Sequence, residues 1–196
     1  MNNLQSICVF CGSSEGNDQE IIEQAIALGK TLAEKEITLV YGASKRGIMG
    51  KVAQSCLDNH GKVTGAIPQF LKLKEVVHLG LTELYTTENM HDRKLKMQEL
   101  SDGFIALPGG FGTLEELFEI TTWAQLGLHQ KPIALLNTSG FYDPLIAMME
   151  EMVRKGFLQM DNFEMIIVDD NIDRLLDKMY NFKPLPAPQW LKPERI

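Results

Sequence analysis

Positive charge and cysteine are both scarce in this sequence. Nineteen lysines and arginines against 26 aspartates and glutamates leave a formal net charge of -7 over 196 residues. That balance excludes an ordinary nucleic-acid binder, because a phosphodiester backbone needs a basic face. No apolar run approaches the roughly 18 residues of a membrane span. Met1-Asn2-Asn3-Leu4-Gln5 does not carry a basic region followed by an apolar one. Neither membrane insertion nor secretion is expected, and the cytoplasm is the default compartment. Of the three cysteines, Cys8 and Cys11 form a Cys-x-x-Cys. Their strand-like setting, Ser6 to Phe10, turns the two side chains to opposite faces, and no second cysteine pair or histidine pair completes a metal site. Both read as small buried hydrophobes. No metal and no cofactor is expected.

Two nucleotide-binding signatures are also missing. Gly42 to Gly50 is a glycine-bearing turn that opens a helix, but Ile48 follows Gly47 where a Walker loop places lysine. Pro108-Gly109-Gly110-Phe111-Gly112-Thr113 has Glu115 where a dinucleotide fingerprint requires its third glycine.

The remaining composition is that of an ordinary globular chain, 44% hydrophobic and 23% charged. It predicts one domain over residues 1–183 and a tail over 184–196, where Pro184, Pro186, Pro188 and Pro193 surround Trp190. Apolar strands are expected at 6–11, 37–41, 63–67, 84–86, 104–107, 132–136 and 164–168, separated by glycine turns and helices. The segment from Gln69 to Gly80 reads as irregular. Strands that are continuously apolar and alternate with helices call for a parallel sheet covered on both faces. The fold class is therefore α/β, a single Rossmann-like doubly wound domain. In such sheets ligands sit beyond the carboxyl ends of the strands, so the turns after Phe10, Tyr41 and Leu107 should converge on one crevice.

The third of those turns is the most informative. Gly109, Gly110 and Gly112 leave backbone amides uncovered, and the helix that follows adds the positive end of its dipole, a ready anion site. Thr113 and Glu116 have the spacing of a capping box. Glu115 and Glu116 lie in the first helical turn, where a phosphate alone is poorly served by more negative charge. That conflict points to chemistry beside the phosphate. Spacing alone leaves Glu116 open between a cap partner and a catalytic carboxylate. Glu115 lies about 100° round the helix from it.

At this point the sequence resembles a known family. Pro108 to Glu116 fits a PGGxGTxxE signature, and Met90-His91-Asp92-Arg93-Lys94 fits its companion MHxRK. Both belong to the Lonely Guy family of cytokinin riboside 5'-monophosphate phosphoribohydrolases. Val9 to Ser14, the turn from Tyr41 to Gly50, Trp123 to Gly127 and Lys131-Pro132 are similar as well, so the resemblance covers about residues 5 to 160. It implies a homodimeric hydrolase that cleaves the N-glycosidic bond of AMP or its N6-prenylated forms, with a small nucleoside 5'-monophosphate as its partner. By position it implies nucleotide contacts from Gly12, Ser13, Glu75, Arg93, Lys94, Gly110, Phe111, Gly112, Thr113, Leu114, Glu115, Glu116 and Thr122, with Arg93 and Glu116 as the catalytic pair. The second turn departs from the family pattern, which has Gly-Gly-Gly or Gly-Gly-Ser after the tyrosine where this chain has Gly42-Ala43-Ser44-Lys45-Arg46.

Met90, Met97 and Leu100 share a helix side with Arg93, which should carry its guanidinium against the body of the protein. His60, His78, His91 and His129 read as structural or surface residues. The helix bearing Trp123, Leu126 and Leu128 is more apolar than one face requires and reads as a dimer contact. Two other classes compete: a non-catalytic nucleotide or cofactor carrier on the same fold, and a nicotinamide-dependent oxidoreductase, against which the missing glycine counts. The family has also been labelled lysine decarboxylase, but no lysine here stands in a context that marks a Schiff base.

Overall fold

Strands that are apolar on both faces need cover on both, and the chain supplies it by alternating strand and helix. The computed structural model describes residues 3–72 and 77–186. In chain order the elements are β1 (Ser6–Phe10), α1 (Gln19–Glu34), β2 (Thr38–Tyr41), α2 (Gly47–Asp58), β3 (Val63–Pro68), α3 (Gln69–Lys72), β4 (Glu83–Thr87) and α4 (Met90–Glu99). They continue as β5 (Gly103–Ala106), α5 (Phe111–Gln125), β6 (Ile133–Leu136), α6 (Asp143–Arg154), α7 (Met160–Glu164), β7 (Ile166–Asp169) and α8 (Ile172–Tyr180), with a 3₁₀ turn at Thr138–Gly140. All seven strands are parallel and stand in the order β4-β3-β2-β1-β5-β6-β7.

The sheet divides the core into two layers. Ile7, Val9 and Cys11 face α1, α2 and α8 on one side, while Cys8 and Phe10 face α4 and α5 on the other. The two cysteines therefore lie on opposite faces, free and buried. Burial foremost, and after it the neighbouring Glu116, raises both thiols well above their ordinary range, so neither is a thiolate. Among the described residues no helix is long and apolar enough to cross a membrane.

Side-chain caps start three of the helices. Asp18 accepts from the Glu20 amide at 2.9 Å, Asn89 from that of Asp92 at 2.9 Å, and Asn171 from that of Arg174 at 3.0 Å. Several boundaries differ from the sequence expectation. Gln69–Lys72 is a short helix inside the segment read as irregular, and Glu164 ends α7 rather than starting β7. Residues 73–76, which include Glu75, and 187–196, which include Trp190, lie outside the described residues.

The capping box does not form. Helix α5 starts three residues earlier than that spacing requires, with Gly110 as its cap, so Thr113 is inside the first turn and 3% exposed. Three glycines let the chain turn into a helix without a side-chain cap. Ala43, in the second turn, sits at φ 63°, a conformation that favours glycine. That is a physical reason for glycine at this place in the resembled pattern.

The order of the strands fixes where a ligand goes. From β1 the chain winds outward through β2, β3 and β4, then returns to β5 on the other side of β1 and winds outward again. The carboxyl ends of β1 and β5 are thus the switch point, where diverging connections leave an open crevice.

At the far edge, Asp169 at the end of β7 is 8% exposed and accepts from Arg174 at 2.7 Å and from Lys178 at 2.7 Å. Burial alone would raise its carboxyl, but these hydrogen bonds outweigh burial and hold it below the usual carboxylate range. A depressed folded pKa contributes stability that is complete above the unfolded value of about 4 and is lost as pH falls through the folded one. Thermal melts should show Asp169→Asn below the parent at neutral pH, with the gap narrowing progressively as pH falls below about 4. A gap independent of pH would show that the charge does not supply the stability.

Candidate active site

Two turns meet at the switch point. Leu107 donates its amide to Phe10 at 2.9 Å and Gly12 donates to Pro108 at 3.3 Å, which locks the turn after β1 to the turn after β5. Together with Met49, Leu71 and Met90 they enclose a crevice of about 330 Å³. A second hollow of about 440 Å³, beyond Ser14 and Phe141, shares Gly12, Ser13 and Gly110 with it.

The start of α5 presents unpaired donors to this crevice. Leu114 gives its amide to Gly110 at 3.1 Å, the first bond of the helix, while the amides of Phe111, Gly112 and Thr113 have no partner among the described residues. The glycines here divide into two kinds. A Cβ on Gly109 would stand 2.1 Å from the Thr113 hydroxyl, so packing accounts for that glycine. A Cβ on Gly110 or Gly112 would meet no atom within 4 Å. Packing does not account for those two, and both line the crevice. Bare amides at a helix start with open space above them suit a phosphate.

Beside this cradle stands a buried ion pair. Arg93 on α4 and Glu116 on α5 approach to 3.6 Å between Nη2 and Oε1, each side chain 11% exposed. Arg93 is held from behind: its Nε donates to the Ala66 carbonyl at 3.2 Å, and Nη1 lies 3.8 Å from Met90 Sδ. Burial is the foremost influence on Glu116 and raises its carboxyl, and Arg93 partly offsets that rise. A carboxyl displaced upward from its ordinary value, in a crevice, is the state expected of a base tuned towards neutral pH.

Lys94 turns away from Arg93. Its ammonium contacts the Glu115 carboxylate and, at 2.9 Å, that of Glu119, which ties α4 to α5. Burial would lower this amine, but hydrogen bonds to Glu115 and Glu119 prevail and raise it. A Schiff-base lysine needs the opposite shift.

The structure brings Gly12, Ser13, Arg93, Gly110, Phe111, Gly112, Thr113, Glu115 and Glu116 to one crevice. Leu114 is different: its amide is engaged and its side chain packs into the core layer with Leu117 and Ile120. Thr122 is also elsewhere, exposed further along α5 with its hydroxyl bonded to the Phe118 carbonyl at 2.7 Å. The histidines are as expected. His129 Nδ1 accepts from the Lys131 amide at 3.2 Å, which leaves Nε2 to donate to Ile120 at 2.8 Å, a structural role. Leu71 and Met49 line the crevice without having been expected there. Both lie in segments whose glycines and charges drew the sequence reading away from their apolar members.

The chain is similar to known proteins over most of its length. Residues 49–179 match a family model described as "possible lysine decarboxylase". A cytokinin riboside 5'-monophosphate phosphoribohydrolase of Oryza sativa subsp. japonica is 42% identical over 183 residues, covering 93% of this chain and 76% of the relative. One of Arabidopsis thaliana is 41% identical over 183 residues, covering 93% and 86%. Among solved structures, the molybdenum cofactor binding protein of Rippkaea orientalis superposes with a TM-score of 0.68 at 21% identity, covering 89% of this chain and 94% of that one. The Moco carrier protein of Chlamydomonas reinhardtii gives 0.65 at 17% identity, covering 90% and 99%. At those identities the structural likeness shows the fold alone. The extent and identity of the sequence matches, with both signature motifs meeting in one crevice, show that the chain belongs to the Lonely Guy family of cytokinin riboside 5'-monophosphate phosphoribohydrolases.

Proposed function

We propose that this protein hydrolyses the N-glycosidic bond of AMP or of N6-prenylated AMP, releasing the free base and ribose 5-phosphate. The observation that carries the reading is a carboxylate buried against a guanidinium just over one helical turn from a cradle of free amides. Breaking an N-glycosidic bond builds positive charge on the anomeric carbon and negative charge on the departing base. The amides of Phe111, Gly112 and Thr113 grip the 5'-phosphate, with Ser13 opposite. That grip sets the ribose against Glu116, which stabilises the oxocarbenium-like sugar and accepts a proton from the attacking water as the C1'–N bond breaks; the base leaves with the bonding electrons and takes up a proton from solvent, and Glu116 returns its own to solvent. Arg93 holds the Glu116 side chain and keeps it available as the anion. Glu115, at the rim and joined to Lys94, faces the ribose hydroxyls. Glu75, Lys94 and Thr122 enter as nucleotide contacts by family position.

The protein acts as a homodimer. Phe111, Phe118 and Leu126 form one exposed stripe along α5 with Thr122 among them, and Leu128 continues it. A second copy is the natural cover for a stripe this apolar. Free thiols fit a reducing cytoplasm.

Incubation with AMP should release adenine and ribose 5-phosphate in equal amounts by chromatography. Glu116→Gln and Arg93→Ala should each lower kcat by about 100-fold or more, the scale of a positioned general base. Full activity in Glu116→Gln would favour a carrier, which has no need of that acid. Adenosine should react far more slowly than AMP, and equal rates would show that the cradle takes no phosphate. Gly112→Ala should keep its melting temperature, because nothing in the protein opposes the methyl group and alanine favours helix. It should raise KM for AMP as that group enters the space of the phosphate. Phe118→Asp should sediment as a monomer where the parent sediments as a dimer.

A further inference from the structure

The second glycine turn was expected to reach the ligand, as the turns after β1 and β5 do. Three of its amides are engaged elsewhere: Ile48 and Met49 donate to the carbonyls of Ser14 and Gly12, at 3.4 and 3.3 Å, and Arg46 donates to the Ser44 hydroxyl at 3.1 Å. Ala43 and Ser44 are fully buried, and of the residues from Gly42 to Gly50 Met49 alone lines the crevice with Arg93. Apart from Met49, the turn therefore lies outside the crevice and offers no backbone amide to it.

Gly42 meets Arg93 instead. A Cβ on Gly42 would stand 2.0 Å from Nη2 and 3.2 Å from Cζ of that arginine, and 3.1 Å from Met49 Sδ. Nη2 is also the atom that faces Glu116 at 3.6 Å. The guanidinium thus lies between the bare backbone of Gly42 and the carboxylate of Glu116, while Ala66 and Met90 fix its other two nitrogens. Gly42 is not among the glycines at positive φ, so its backbone would accept any side chain. Space for the guanidinium is what requires glycine here.

We propose that this turn is the seat of Arg93 rather than a phosphate loop, and that Gly42 is a positioning residue that sets the distance between Arg93 and Glu116. The inference rests on the reading of those two as the catalytic pair. It also accounts for how Ala43 can depart from the family pattern, and Lys45 and Arg46 add charge, while Gly42 keeps to it, since Ala43 is buried away from the crevice and the two cations are exposed outside it.

The test is Gly42→Ala. The atom that must give way is the end of a long side chain, so the fold should survive, with a melting temperature within a few degrees of the parent. The arginine should not keep its place. A displacement of about 1 Å at a catalytic group costs on the order of 100-fold, and the loss should appear in kcat with little change in KM for AMP. In the double variant Gly42→Ala, Arg93→Ala the two losses should not add, because the first acts only through the second residue. Additive losses, or full activity in Gly42→Ala, would overturn the proposal. A readout independent of catalysis is the Nε–H resonance of Arg93, hydrogen-bonded to Ala66, which should shift in Gly42→Ala. An unchanged resonance overturns the seat. A shifted resonance in a protein whose parent does not cleave AMP supports the seat and refutes the hydrolase reading.

Discussion

Charge buried between α4 and α5 is the constraint around which this site is built. A carboxylate and a guanidinium, each 11% exposed and 3.6 Å apart, have lost most of their hydration, and at that separation their attraction recovers only part of it. Such a pair persists only where neighbouring elements fix both members. Here Ala66 at β3 holds the guanidinium from behind, Met90 and Gly42 confine its outer nitrogens, and α5 brings Glu116 to it from the other side. A second cross-link, Lys94 with Glu115 and Glu119, clamps the same two helices just outside the first. The outer cluster is more exposed and contributes less per contact, but it prevents α4 and α5 from sliding and so keeps the inner pair in place.

The same arrangement resolves a conflict present in the sequence. Acidic residues in the first turn of α5 oppose an anion bound at its amides. The structure answers each one separately. Glu115 is joined to Lys94, and Glu116 is turned inward against Arg93, so neither presents an uncompensated charge to the cradle. Carboxylate and phosphate can then occupy one crevice, with the amides of Phe111 to Thr113 left for the phosphate and Glu116 directed to what lies beside it.

Much of the fold was legible in the residues because it follows from pattern alone. Continuously apolar strands dictated a sheet covered on both faces, and the period of two along β1 put Cys8 and Cys11 on opposite sides of it. Arg93 was legible for a similar reason, since Met97 on the same helix side is buried and carries it inward. The capping box failed because spacing does not reveal where a helix begins: with Gly110 free to turn, α5 started early and drew Thr113 inside. Leu114 came from a contiguous motif and Thr122 from its position in the family, and neither source says which way a side chain faces. Helical geometry sends Leu114 into the core and Thr122 outward. Gly42 was recognised as part of a turn and its purpose was not, because the reason for that glycine is an arginine 51 positions further along the chain.

The distinction between a binding fold and a hydrolytic one depends on a small part of this molecule. Solved structures described as carrying or binding the molybdenum cofactor superpose on most of the chain at 21% and 17% identity, so the parallel sheet and its open switch point serve binding as readily as chemistry. Holding a phosphorylated ligand would need no more than free amides such as those at the start of α5. It does not need a carboxylate kept out of water and displaced from its ordinary pKa, because such a group costs stability and adds nothing to the grip on an anion. A buried acid beside free amides is therefore the feature that a carrier would not need, and it is what would separate the two uses of one scaffold.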